Sequence, residues 1–264
     1  SRVASELQSR RRGGAGRARG LAMADATHFT CIAAVRGNKL RCLADIVSQT
    51  SRAASGASAG TSADGKRRLL PIVVVANTRD AVDAAMSAVL AVAPRARVAR
   101  LHSDQSADDR KATMEGFRAA SSVGLDERQC EDAEGDGDGV AVLFATDACL
   151  PSIATGEAPL RGVVLIQLQV PRFGGDSDAT AQALSHQSRG LSGEKAEGAT
   201  AAYRRRVRAA LGRDAGFAVS VVSLDERRLF DAASRGFEVE EAPFDLHDVV
   251  VARWRGSARG KEGR

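Results

Sequence analysis

Four stretches of this chain leave it little choice of fold. Pro71–Ala76 (PIVVVA), Val140–Ala145 (VAVLFA), Gly162–Gln169 (GVVLIQLQ) and Gly216–Ser223 (GFAVSVVS) are nearly continuous runs of apolar and β-branched residues. A strand with one wet face alternates polar with apolar side chains. Unbroken runs of this length belong to strands covered on both faces, which is the condition of a parallel sheet between helices. Ala96–Leu101 (ARVARL) reads as a further, shorter strand. Between the strands the period changes to that of a helix. Ala81, Ala84, Ala85, Ala88, Val89 and Val92 fall on one side of a helix over Asp80–Val92, and Ser106 reads as an N-cap with Asp109 completing a capping box, Met114 and Phe117 facing inward. Helices are also expected at Lys39–Gln49, Ala179–Ser188 and Asp225–Ala233. Strand and helix in repeated alternation define an α/β fold with a parallel sheet and helices on both faces.

The length of 264 residues and a hydrophobic content of 44% can supply such a core. No run of eighteen apolar residues occurs, so no membrane span is expected, and no apolar segment follows the basic start to make a secretory signal. Cys31, Cys42, Cys130 and Cys149 show no metal-binding spacing and are too few for a disulfide framework. The expected setting is therefore intracellular and reducing, with nuclear, cytoplasmic and mitochondrial locations left open.

Charge is unevenly placed. Residues 1–20 hold six arginines and one glutamate and read as a disordered basic arm; residues 251–264 hold five basic residues and one acid and read as a basic tail. The whole chain carries +5, so residues 21–250, the expected domain, carry −4. Within it, 51–65 (SRAASGASAGTSADG) and the acidic 126–139 read as flexible loops. Arg204, Arg205, Arg206 and Arg208 form the densest internal basic cluster, expected on a solvated face, with an RNA contact as the sharper alternative. Trp254 in the basic tail and Tyr203 beside that cluster make no base-stacking platform.

In open parallel sheets chemistry gathers at the carboxyl ends of the strands. Here those ends carry Asn77-Thr78-Arg79, His102-Ser103-Asp104, Thr146-Asp147 and the loop from Pro171 to Gly175. Two apparent ligand loops do not qualify. Gly60–Arg67 has the spacing of a phosphate loop, but Arg67 stands where magnesium needs Ser or Thr and the segment precedes a strand. The series Glu134, Asp136, Asp138 lacks the glutamate that would close a calcium loop. No metal site is expected. A metabolite-binding α/β enzyme is disfavoured by the lack of G-x-G-x-x-G after a first strand.

In order, PIVVVANTRDAVDAA, VARLHSDQSADDRKATMEGFR, VLFATDACLPSIA, LRGVVLIQLQVP and SHQSRGLSGEKAEG resemble the second RecA-like domain of DEAD-box ATP-dependent RNA helicases over about residues 35–240. The resemblance implies that Asn77, Thr78 and Arg79 lie beside an RNA backbone, and that Ser103, Arg110 and Thr146 contact its phosphates. It implies that His102, Asp104 and Asp147 brace these loops. His186 and Arg189 would lie at the nucleotide; aligned without a gap none of the last motif's three arginines survives, and with a one-residue slip Arg189 replaces the middle, catalytic one. ATP with magnesium would bind only together with a first RecA-like domain, in cis or in trans. Two departures stand out. Pro151, Ser152, Ile153 and Ala154 replace an arginine, a glycine, a hydrophobic residue and an aspartate, so the nucleotide-binding aspartate is missing at Ala154; and the arginine-rich last motif is reduced to His186-Gln187-Ser188-Arg189-Gly190. Loss of arginine fingers removes transition-state charge stabilisation, so this chain alone is expected to be inactive as an ATPase. The alternative is a catalytically degenerate domain serving as an RNA-binding or ribonucleoprotein-assembly scaffold.

Overall fold

The computed structural model describes residues 26–56, 69–122, 139–171, 193–212 and 216–259. Seven strands form one sheet: β1 (Thr27–Ala33), β2 (Leu70–Ala76), β3 (Arg97–Leu101), β4 (Val140–Thr146), β5 (Val164–Gln167), β6 (Phe217–Ser223) and β7 (Val239–Glu241). Their order is β3-β4-β2-β5-β6-β1-β7, and every neighbouring pair is parallel. The helices are α1 (Lys39–Gly56), α2 (Arg79–Val92), α3 (Ala107–Ser122), α4 (Gly193–Leu211), α5 (Arg227–Ala233) and α6 (Leu246–Arg259). None is long and apolar enough to cross a membrane.

Strand order and chain handedness sort the helices. The connections β1→β2 and β2→β3 step one way along the sheet; those from β3, β5 and β6 step the other way. Because crossovers are right-handed, the first set puts α1 and α2 on one face and the second puts α3, α4 and α5 on the opposite face. The two cores agree. Leu70, Ile72 and Val74 of β2 pack with Val47 of α1, Val82 and Val89 of α2 and Val250 of α6, while Val73 and Val75 pack with Phe117 of α3, Tyr203 of α4 and Phe230 of α5. All seven residues of β2, β4 except its last, and all of β6 are buried, which is why those segments are apolar throughout.

Three expectations change. The stretch 51–65 begins as helix: α1 runs to Gly56, because Ser51 and Ala54 face the core, and Ser55 Oγ accepts from the Gly139 N–H at 2.9 Å. Gly139 is required there, since a Cβ would stand 2.9 Å from that of Ala54. The basic tail at 251–264 is helix as far as Arg259. Val251 and Trp254 are buried against α1 and the sheet, so an apolar stripe inside a basic segment decided its fate. Two strands were not read from the sequence, the first (β1) and the last (β7), the latter only three residues long. Ser106 caps α3 as expected, its Oγ accepting from Asp109 N–H at 3.1 Å and donating to Asp109 Oδ2 at 2.7 Å, with Phe117 buried. The arm 1–20, the rest of 51–65, most of 126–139, the Pro171–Gly175 loop beyond Pro171 and the helix expected at Ala179–Ser188 lie outside the described residues.

Candidate nucleic-acid interface

Because the sheet is wholly parallel, every strand delivers its carboxyl end to one edge. Strands β3, β4 and β2 are neighbours, so the polar clusters that follow them stand side by side. They also lie where the chain reverses direction: the connection after β2 leaves one way and that after β4 leaves the other. Such a switch point opens a crevice.

The loop after β2 is built for display. Thr78 is the N-cap of α2, and its hydroxyl oxygen accepts from the Ala81 N–H at 3.3 Å, which leaves its own O–H free to donate outward. Asn77 is fixed at three points: its N–H donates to Gln169 Oε1 at 2.7 Å, its Nδ2 donates to Val170 O at 3.1 Å, and its Oδ1 accepts from Arg206. Arg79 is exposed and donates to Asp104 in the loop after β3, tying the two loops together. In that second loop the Ser103 hydroxyl donates to Asp104 at 3.2 Å and the His102 N–H donates to Gln105 Oε1 at 3.1 Å. The imidazole Nδ1 of His102 is buried without a hydrogen-bond partner among the described residues. Arg110, one turn into α3, is half-buried and makes no ion pair with a described residue, leaving its guanidinium available. After β4, the Thr146 hydroxyl donates to Cys149 Sγ at 3.3 Å.

Asp147 holds the centre. Its carboxylate accepts from Arg206 through both Nε, at 2.8 Å, and Nη2, and Arg205 stands 3.5 Å away. Arg206 comes from α4. It is completely buried and also donates to Asn77 Oδ1 at 2.5 Å, Gln169 O at 2.6 Å and Gln167 Oε1 at 3.5 Å. One guanidinium thus joins the carboxyl ends of β2, β4 and β5. Only a planar fork with five donors can serve this many acceptors. The expectation of a solvated arginine face is therefore corrected at Arg206, while Arg205 stays largely exposed and Arg204 lies 5.8 Å from the centre of the Phe237 ring. Arg206 and its glutamine partners were missed from the sequence, although Gln167 and Gln169 interrupting the apolar run of β5 were the signal.

The polar network continues inward. Tyr203, one turn before Arg206, is buried, and its hydroxyl lies 2.9 Å from His28 Nδ1, while Gln167 Nε2 donates to Ser220 Oγ at 3.3 Å. Burial pushes the Tyr203 phenol up to about 12 and the His28 imidazole down to about 4, so both are neutral near pH 7. Where the resemblance implied a nucleotide-binding aspartate, Ala154 presents an exposed methyl in the one-turn helix Ile153–Thr155. His186 and Arg189 lie outside the described residues.

An all-parallel seven-stranded sheet with helices on both faces and polar loops along one carboxyl edge is a RecA-like α/β domain. No protein-family profile and no curated relative matches the sequence. Solved structures do match, DEAD-box helicases among them. Dbp5 of S. cerevisiae bound to Gle1 and IP6 aligns with a TM-score of 0.52 and 13% identity over 96% of this chain and 50% of that one. The C-terminal domain of S. cerevisiae Dbp5 bound to Gle1 and IP6 gives 0.49 and 15% over 88% and 97%, and E. coli SrmB bound to RraA gives 0.48 and 14% over 84% and 93%. The chain spans half the length of the first of these. It has the fold of a RecA-like domain of a DEAD-box helicase.

Proposed function

We propose that the chain is the second RecA-like domain of a DEAD-box-like RNA helicase and that it binds the backbone of single-stranded RNA along the carboxyl ends of β3, β4 and β2. The observation that carries this reading is the locking of the three motif-bearing loops into one surface, by Arg206 across β2 and β4 and by Arg79–Asp104 across β2 and β3. On that surface the Thr78 hydroxyl, the amides at the start of α2 and the Arg110 guanidinium are donors of the kind that hold phosphates without reading sequence. Asp104 and Asp147 are engaged by arginines, so they brace the loops and need not face the RNA.

ATP and magnesium belong to this reading only with a first RecA-like domain. The described nucleotide-side residues fit poorly, because Ala154 has no carboxylate to offer. That observation favours the second reading, a scaffold that keeps the RNA surface within a ribonucleoprotein after losing catalysis. Fluorescence anisotropy with labelled single-stranded RNAs tests the surface. Affinity should depend little on sequence and fall steeply with salt, and Arg110→Ala should lower the log–log salt slope by about one. An unchanged slope removes Arg110 from the surface. The purified chain should show no RNA-stimulated ATPase; measurable turnover would overturn the scaffold reading.

A further inference from the structure

On the α5 side of the sheet, α5, β1 and β7 enclose a groove of about 310 Å³. Because α5 is only seven residues long it covers little of β1, so Ile32 of β1 and Val239 of β7 form a half-buried floor beside the buried Phe230. Charge is ordered along the groove. α5 starts just after the carboxyl end of β6 and runs back down the sheet, which puts Arg235 and Phe237 at one end and Glu241, the last residue of β7, at the other. Asp231 in the wall is engaged by Arg227 at 3.1 Å. Arg235 is exposed and makes no ion pair with a described residue. The half-buried Phe237 ring packs against Tyr203, with centroids 5.0 Å apart, and the guanidinium carbon of Arg204 stands 5.8 Å from its centre. Arg204 Nη2 also lies 3.5 Å from the position a Cβ on Gly236 would take, so Arg204 and Arg235 flank the same residue. Next to Arg204, Arg205 stands 3.5 Å from Asp147, among the loops at the strand ends. Three exposed guanidinium groups thus run from Asp147 across α4 to the groove.

We propose that the single-stranded RNA of the reading above, on which this inference rests, leaves the carboxyl edge over Arg205 and Arg204 and seats one further nucleotide in this groove. Its phosphate lies at Arg204 and Arg235, whose planar forks match phosphate oxygens and which have no carboxylate to satisfy first. Its base lies against Phe237, an aromatic surface that takes any base. Its ribose points to Glu241, whose carboxylate accepts from sugar hydroxyls and turns a second phosphate away. The groove therefore adds length to the bound RNA without adding sequence preference.

The test titrates the whole chain with labelled single-stranded RNAs of about 6 and about 15 nucleotides, by fluorescence anisotropy at several salt concentrations. Arg235→Ala and, separately, Arg204→Ala should weaken the long RNA about tenfold and lower its log–log salt slope by about one, with the short RNA and the melting temperature unchanged. A long RNA carrying 4-thiouridine should crosslink to Phe237, recovered in the tryptic peptide Gly236–Arg253, and Arg204→Ala should abolish that crosslink. A long RNA whose slope responds to Arg110→Ala but to neither groove arginine overturns the groove and leaves the carboxyl-edge surface standing, as do crosslinks confined to other peptides. Equal weakening of the short and the long RNA also overturns the groove, because it places both cations on the main surface. Binding of neither RNA overturns the surface and the groove together.

Discussion

At one end of the carboxyl edge, where β4, β2 and β5 finish, the buried cation is the guanidinium of Arg206; at the other, where β5, β6 and β1 finish, it is the ammonium of Lys39. Lys39 begins α1 and donates to Leu168 O at 3.1 Å and to Glu226, whose carboxylate also accepts from the backbone N–H and the hydroxyl of Ser223. Each cation ties strand ends that the backbone ladder cannot reach. They differ in what they hold. Arg206 serves an aspartate, an asparagine and two glutamines that lie among the loops of the proposed RNA surface, whereas Lys39 serves one carboxylate and one carbonyl. Burial lowers the Lys39 pKa, with Glu226 opposing the shift, so the ammonium loses more in hydration there than its partners return. A cation at a strand edge is thus either a structural rivet or a device that sets the shape of a binding surface, and its partners tell which.

Removing the charges should separate the two ends most strongly. Arg206→Met strands the Asp147 carboxylate and the Asn77 and Gln169 oxygens, and should cost about 3–5 kcal/mol in urea unfolding, with Arg206→Lys recovering only part. Lys39→Met leaves Glu226 still bonded at Ser223 and should cost about 1–3 kcal/mol. Equal losses would erase the distinction. A variant at Arg206 that still folds should also bind RNA more weakly, while Lys39→Met should not.

The next effect tests how far the Arg206 network extends. His28 lies against the hydroxyl of Tyr203, and its pKa is about 4 in the folded chain against an ordinary 6.5. Between those values the unfolded chain binds a proton that the native imidazole refuses. Stability is therefore full above pH 6.5 and is lost as pH falls toward 4, by about 3 kcal/mol in all. In His28→Gln this loss should vanish, so the stability difference between the two proteins should change by that amount between pH 7 and pH 4. A difference that stays constant would detach His28 from the network.

The smallest effect is expected at Arg79 and Asp104. Both are about half exposed, so Arg79→Ala should change stability by less than about 1 kcal/mol. Its consequence should appear in RNA affinity. A large stability loss there would mean that the β2–β3 link is a rivet like Lys39 and not part of a surface.

Much of the sheet was legible because burial on two faces writes itself as unbroken apolar runs; β2, β4 and β6 were found to within one residue at either end. The first strand, THFTCIA, was missed because three polar residues break its pattern, and two of them turn inward: His28 to Tyr203 and Thr30 to the Glu240 carbonyl. The helix within 251–264 was missed because its charges outnumber its apolar residues, although Val251 and Trp254 sit at helical spacing. At the site, Asn77, Thr78, Arg79, Ser103, Asp104, Arg110, Thr146 and Asp147 were named from local motifs, and the loops bearing them share one edge. Arg206 could not be found that way. Its partners are 37 to 129 residues distant, and nothing local distinguishes it from Arg204 and Arg205 just before it.

By itself, then, the sequence determined the fold class, the parallel sense of the sheet and the loops at its carboxyl ends, because each follows from patterns a few residues long. Tertiary structure alone decided which arginine of α4 is buried and where Lys39 points. These depend on long-range contacts. A helix presents a different face every residue, and only packing against the sheet selects which of three adjacent guanidinium groups turns inward to three strand ends and which remain in water.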